Sequence, residues 1–192
     1  AFDVIGEAEQ SAELFTSLAQ ERHYYGFKAS DALSLPIQLN QQSVSEDKKT
    51  IALVRSNAHF KMAKELFALA KFSASRYQWR RLLNELSDTQ GAQAATIAYE
   101  MQWFDRGIYA LAEFGKSNDV TRRFPRPYPE YFAASATKYS HPKSWLYAIA
   151  RRESAFAPDA RSSANARGLM QILPQTANYL TKNGHKTSQL ND

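Results

Sequence analysis

The chain has 192 residues, 44% of them hydrophobic and 22% charged, with no cysteine and a formal net charge of +5. That length and apolar fraction suit one good core or two small ones and argue against a disordered chain. The lack of cysteine excludes a disulfide framework, a thiolate metal site and a lipid-bearing amino-terminal cysteine, and it suits an oxidising compartment.

No apolar run approaches the roughly 18 residues of a membrane span, so a folded soluble protein is expected. The opening AFDVIGEAEQ lacks a basic stretch followed by an apolar one, so any signal peptide is expected to have been removed or never to have existed. Over residues 7–20, Ala8, Ala12, Phe15, Leu18 and Ala19 recur at helical spacing, and residues 21–33 form a second amphipathic segment around Tyr24, Tyr25 and Phe27. The pair reads as a helical hairpin, with Tyr24 and Tyr25 expected in packing. Residues 34–49 are polar and aperiodic, so they read as a connector with a module boundary near 45–50. Beyond Ile51 the helical pattern returns. Phe60, Ala63, Leu66, Phe67 and Ala70 form one stripe, and Trp79, Leu82, Leu83 and Leu86 form the next. Residues 90–101 and 105–114 supply two more helices, with Asp105 expected as an N-cap, Gly115 as a C-terminal cap, and Trp103 and Phe104 as the plug between them. No strict repeat of roughly 34 residues links these segments, so they read as degenerate helix pairs. Pro125, Pro127 and Pro129 alternate, which forces an extended path and marks the clearest break in the chain. Tyr128, Tyr131 and Phe132 then lead a short helix expected to pack beneath the one that follows. The predicted fold class is all-α.

Residues 140–184 read as helix, polar turn, short helix and a further helix. Ser140 is expected to cap the first, with Pro142 in its opening turn and an end near Phe156. Leu146, Ile149, Ala150 and Glu153 share one face, because offsets of three, four and seven recur on a helix, while Arg151 and Arg152 are expected to look toward solvent. A carboxylate on an apolar face is predicted to be buried and held protonated, which makes Glu153 a candidate general acid. The same pattern also fits a structural glutamate bonded to a backbone N–H or a distant arginine. Ala157-Pro158-Asp159 ends the helix, and Arg161 to Asn165 form a hydroxyl-rich turn. Gly168 is expected to allow close backbone approach ahead of the apolar segment from Leu169 to Leu173, which carries one amide, Gln171. Pro174 opens another helix, with Gly184 expected to close it.

ESAFAPDARSSANARGLMQILPQTA resembles the signature of the soluble lytic transglycosylases of glycoside hydrolase family 23, written loosely as E-S-x-(about eight)-S-x-x-G-A-x-G-L-M-Q-x-x-P-x-T-A. The match holds several fixed spacings over roughly 25 positions. Asn165 departs from the usual Gly, a tolerable change because Asn enters the left-handed region readily, and Leu173 stands where Met is frequent. The resemblance implies that Glu153 is the catalytic acid and base, that Ser162 lies beside the site, and that Met170, Gln171 and Leu173 bind sugar. ERHYYGFKASDAL resembles the last helix pair of the superhelix that precedes the catalytic domain in this family. YEMQWFDRGIYALAEF followed by RRFP resembles its linker domain. The implied organisation is a superhelix end at 1–48, a helical linker domain at 49–125 and the first part of a lysozyme-like α domain at 126–192. The family continues beyond such a point with an Ala-Tyr-Asn-Ala-Gly type segment, so the chain is expected to be a fragment that is itself weakly active or inactive.

The implied reaction is non-hydrolytic cleavage of the β-1,4 bond between N-acetylmuramic acid and N-acetylglucosamine, giving a 1,6-anhydro product with no cofactor. Implied partners are peptidoglycan glycan strands and cell-wall synthesis or remodelling proteins, in the periplasm. Ten of the arginines, Arg76, Arg80, Arg81, Arg122, Arg123, Arg126, Arg151, Arg152, Arg161 and Arg167, are dispersed among glutamates without a nucleic-acid motif. They read as solvated faces, with attraction to carboxylate-bearing peptidoglycan as the other reading. The histidines, His23, His59, His141 and His185, lack metal-ligand spacing, so no metal is expected. Two other readings stay open: a hydrolytic muramidase, and a non-catalytic helical binding scaffold if the chain ends here.

Overall fold

The computed structural model describes residues 8–182, and among them every regular element is helical apart from two isolated antiparallel bridges, Arg161 with Arg167 and Arg167 with Ile172. The chain divides into two compact units, Ala1–Ser43 and Val44–Asp192. No helix among the described residues is long and apolar enough to cross a membrane.

The first unit holds α1 (Ala8–Leu18) and α2 (Tyr24–Ala32). His23 starts α2, its Nδ1 accepting from the Gly26 N–H at 3.1 Å. Small residues face the hairpin: Ala19, Gly26, Ala29 and Ser30 are buried. Gly26 is required there, since an added Cβ would lie 2.0 Å from the Glu21 carbonyl oxygen. With that seam closed by small residues, Tyr24 and Tyr25 are not in the packing expected of them. Both are 68% exposed and meet each other edge to face at 5.3 Å.

The second unit begins with α3 (Lys48–Ser56), α4 (Ala58–Ala68), α5 (Phe72–Leu83), α6 (Asp88–Glu100), α7 (Phe104–Glu113) and the short α8 (Val120–Arg123). Side-chain caps define several starts: Asp47 for α3, Asn57 for α4, and a Ser87–Gln90 capping box for α6. Helix α6 is buried all round from Gly91 to Ala98, so it forms the axis of the bundle. Its alanines let α3 and α7 approach closely. Trp103 is buried against Trp79, with ring centroids 5.3 Å apart, and against Phe67 at 4.6 Å, so it does plug this core. Phe104 turns instead to a second cluster through Tyr99 and Tyr128.

Gly115 follows α7 at φ +67, as a C-terminal glycine should. Asp105 does not cap α7; it sits inside the first turn, 3% exposed, with its carboxylate 2.9 Å from Arg106 Nη2 and 3.6 Å from Arg76 Nε. Two guanidiniums outcompete the helix amides for it.

After the proline-rich break come α9 (Pro129–Tyr139), α10 (Lys143–Glu153) and α11 (Pro174–Lys182). Phe132 of α9 is buried and stacks on Tyr147 of α10 at 4.1 Å, the packing expected between these helices. Ser140 does not start α10. It closes α9 at φ +53, and Pro142 precedes α10 without any side-chain cap. Pro174 opens α11, whereas Gly184, expected to close it, lies outside the described residues, as does His185.

Candidate active site

Helix α10 buries Ala150 fully and Leu146 partly, against Phe132, Ala155 and Phe156. Glu153 is its last residue and is exposed, not buried as expected. The periodicity sets Glu153 on the same helix face as Leu146 and Ala150, but the packed layer covers only the arc around those two residues. Ile149, 44% exposed, stands with Glu153 at the margin of that layer. Arg152 is exposed, but Arg151 does not reach freely into solvent. It is half-buried, its Nε donating to the Arg123 carbonyl at 2.8 Å.

The helix does not run to Phe156. Ser154 ends it, and Ala155 and Phe156 follow at φ +52 and +67, two consecutive left-handed residues without glycine. Such torsions cost energy and persist where surroundings over-determine them. Here both side chains are buried at 2% exposure. The Ser154 hydroxyl oxygen also accepts from the Phe156 N–H at 3.1 Å. Its proton has two acceptors in reach, Leu169 O at 2.9 Å and Ala150 O at 3.2 Å. Ser154 therefore ties the end of the Glu153 helix to the Leu169 segment. A serine fixed next to the glutamate in the motif was the available signal for this role.

The turn beyond is anchored by Asp159, which accepts from both terminal nitrogens of Arg76 at 2.6 Å. Asp159 raises the Arg76 pKa above its ordinary value, against burial and with help from Asp105. Arg76, Asp105, Arg106 and Asp159 thus form one network joining α5 and α7 to the residues after Glu153.

From Ala160 to Ile172 the chain folds back through turns. The apolar segment around Gln171 is such a turn and not the short helix expected. Ser162 is exposed and its Oγ accepts from the Ala166 N–H at 3.0 Å, closing a loop in which Asn165 takes φ +65, the left-handed position its side chain tolerates. Gly168 sits at φ +73, and an added Cβ would meet nothing nearer than the Pro158 carbonyl at 3.7 Å, so torsion rather than close approach demands glycine. The Gln171 amide lies 3.1 Å from Ala160 O and 2.9 Å from Gly168 O, holding the turn from inside.

On the Glu153 side of α10 lies a cleft of about 560 Å³, walled by Tyr128, Tyr131, Phe132, Leu146, Leu169 and Met170. Leu146 and Glu153 are seven residues apart and share a helix face, so Glu153 stands two turns along α10 from this wall without itself lining the cleft. Tyr131 is 75% exposed and offers a ring to it. Of the residues predicted to bind sugar, Met170 lines the cleft, Ser162 and Gln171 shape the loop behind it, and Leu173 is 42% exposed outside it. Burial first, then the charges of Asp105 and Asp159, raise the Tyr128 phenol pKa. Among the described residues no group of three or more His, Cys, Asp or Glu is placed to hold a metal ion.

With this geometry in view, the transglycosylase SLT domain matches residues 130–192, and the soluble lytic murein transglycosylase L domain matches residues 53–120. A putative soluble lytic murein transglycosylase of Haemophilus influenzae is 33% identical over 174 residues, covering 91% of this chain and 29% of that protein. The soluble lytic murein transglycosylase of Escherichia coli K12 is 28% identical over 177 residues, 92% of this chain and 27% of its own length. Among solved structures, an inactive glutamate-to-glutamine mutant of the lytic transglycosylase Slt from Pseudomonas aeruginosa matches with TM-score 0.85 and 31% identity, over 93% of this chain and 29% of that one. A 70-kDa soluble lytic transglycosylase in complex with bulgecin A matches with TM-score 0.88 and 26% identity, over 97% of this chain and 31% of that one. The chain therefore spans less than a third of the length of these relatives.

Proposed function

The chain belongs to the soluble lytic transglycosylase family, and on that premise we propose that it contributes the acid-bearing half of a peptidoglycan-cleaving site, with Glu153 as the single acid and base. The observation that carries this reading is Glu153 at the end of α10, on the same helix face as an aromatic cleft, with its backbone pinned by Ser154 and two left-handed residues. The inactive form of the Pseudomonas aeruginosa relative, a glutamate-to-glutamine change, supports a glutamate in this role.

In the proposed reaction Glu153, protonated, donates to the glycosidic oxygen between N-acetylmuramic acid and N-acetylglucosamine as the C1–O bond breaks, and an oxocarbenium-like centre develops at C1. The Glu153 carboxylate then takes the proton of the muramoyl C6 hydroxyl, whose oxygen bonds to C1. The product is a 1,6-anhydro sugar, and Glu153 recovers its proton. A hydroxyl on the same sugar needs no activated water. Asp159 is committed to Arg76, which disfavours a second carboxylate acting beside Glu153 in the manner of a hydrolase.

A general acid works best out of water, and Glu153 is exposed. On this reading bound glycan supplies the covering that the proton transfer needs. Residues 1–48 are proposed as a superhelix end, residues 49–125 as the linker domain, and residues 126–192 as the start of the catalytic domain. We propose a periplasmic location, because peptidoglycan is the proposed substrate.

The test is Glu153→Gln in the full-length protein acting on purified sacculi. One positioned proton donor is worth about 10²–10⁴ in rate, so a loss of at least about a hundredfold with unchanged circular dichroism is expected. Near-normal turnover would remove the assignment. Products carrying a reducible muramic acid would favour hydrolysis instead.

A further inference from the structure

On the face of α10 turned away from Glu153 lies a cavity of about 620 Å³, within the range of small-ligand sites. Its wall carries five cations, Arg123, Arg126, Lys143, Arg151 and Arg152, and no Asp or Glu. Phe124, Tyr147 and Phe156 give it an apolar floor. The Arg123 and Arg151 guanidiniums both lie against the Phe124 ring, 5.9 and 5.4 Å from its centroid.

This arrangement is electrostatically unbalanced. Arg123 Nε is buried with no hydrogen-bond acceptor among the described residues. Arg151 spends Nε on the Arg123 carbonyl, and no carboxylate among the described residues pairs with its terminal nitrogens. Burial, and then the neighbouring charge of Arg123, depress the Arg151 pKa. Half-buried guanidiniums elsewhere in the same unit are matched by carboxylates, Arg76 by Asp159 and Arg122 by Asp119. Lys143 and Ser144 on the rim are the first residues of α10, whose amino-terminal N–H groups have no side-chain cap and add positive potential.

We infer that the Arg123–Arg151 cavity binds an organic carboxylate, with the anion taken by the two guanidiniums and an apolar body resting on Phe124, Tyr147 and Phe156. The planar fork of arginine matches a carboxylate, and the ring floor selects a ligand with carbon attached over a bare inorganic ion. A free organic acid and an acidic peptide share this chemistry. The site is separate from the proposed catalytic cleft, so it stands whether or not Glu153 is the acid.

The experiment follows the arginine Nε–H resonances and binding heat of the 192-residue chain titrated with hexanoate, N-acetylglutamate, inorganic phosphate and hexanol. Saturable binding of a carboxylate is expected, with shifts at Arg123 and Arg151, and none with hexanol. Removing one charge-assisted contact in Arg151→Gln or Arg123→Gln should weaken binding about tenfold. Arg126→Gln and Lys143→Gln, both at exposed positions, should weaken it about twofold or more without loss of helicity. Arg80→Gln, on an exposed face of α5, should leave it unchanged. Tighter binding of hexanoate points to a free acid, and of N-acetylglutamate to a peptide. The inference is overturned by absence of saturation, by phosphate binding more tightly than both carboxylates, or by Arg80→Gln weakening binding as much as Arg151→Gln.

Discussion

Ser154 is a side chain whose worth lies in what it holds together. Its hydroxyl links the last turn of α10, the left-handed pair at Ala155 and Phe156, and the carbonyl of Leu169. Ser154→Ala leaves the buried Phe156 N–H without that acceptor, so a loss of about 1–2 kcal/mol is expected in urea unfolding. Tyr99 is the converse case. Its hydroxyl oxygen is buried with no hydrogen-bond partner among the described residues, and burial pushes its phenol pKa well up. Tyr99→Phe removes an unsatisfied polar atom and keeps the ring, so the midpoint of thermal unfolding should hold or rise; a fall would reveal a partner for that hydroxyl. The motif and the helix face both select Glu153 as the proposed acid. Its exposure was not legible, because a periodic pattern says which face a residue is on and nothing about whether another layer covers that face.

Helices α4 and α5 were readable from their stripes, since one face of each meets the core and the other meets water. Helix α6 was readable in extent but not in role, because a helix buried on every side carries no contrast between faces. Its closest constraint is Gly91, where an added Cβ would lie 2.2 Å from the Phe114 ring. Gly91→Ala should therefore cost about 1–3 kcal/mol by differential scanning calorimetry, despite the better helix propensity of alanine. The misread ends share one cause. Asp105, Ser140 and the residues after Glu153 were assigned from local preference, and tertiary partners decided otherwise: arginines claim Asp105, Ser140 closes the helix before it, and packing holds Ala and Phe in torsions usually left to glycine.

For the whole molecule, acid sensitivity follows from Asp119. Burial opposes its ionisation, but hydrogen bonds from the backbone N–H groups of Val44 and Arg122, and from the Arg122 guanidinium, outweigh it and lower its pKa. An unfolded Asp titrates near about 3.9, so the stability from this group is complete above about pH 4 and is lost as pH falls through the lower folded value. Urea midpoints for the native chain should fall between about pH 5 and pH 2, and Asp119→Asn should flatten that fall while lowering stability at neutral pH. An unchanged slope in the variant would assign the acid response to other carboxylates. The all-α class and the break near the prolines could be read from the chain, whereas this tie between residues 44 and 119 has no local signature.

The Arg76–Asp159 bridge has a consequence in time. It joins residues 83 positions apart, whereas α4 with α5 and α6 with α7 are sequence neighbours that can associate early. Closing so long a span is a late event in chain assembly, so the bridge is expected to be absent from the rate-limiting barrier. Arg76→Gln should then hasten denaturation in stopped-flow traces while leaving the refolding limb nearly unmoved.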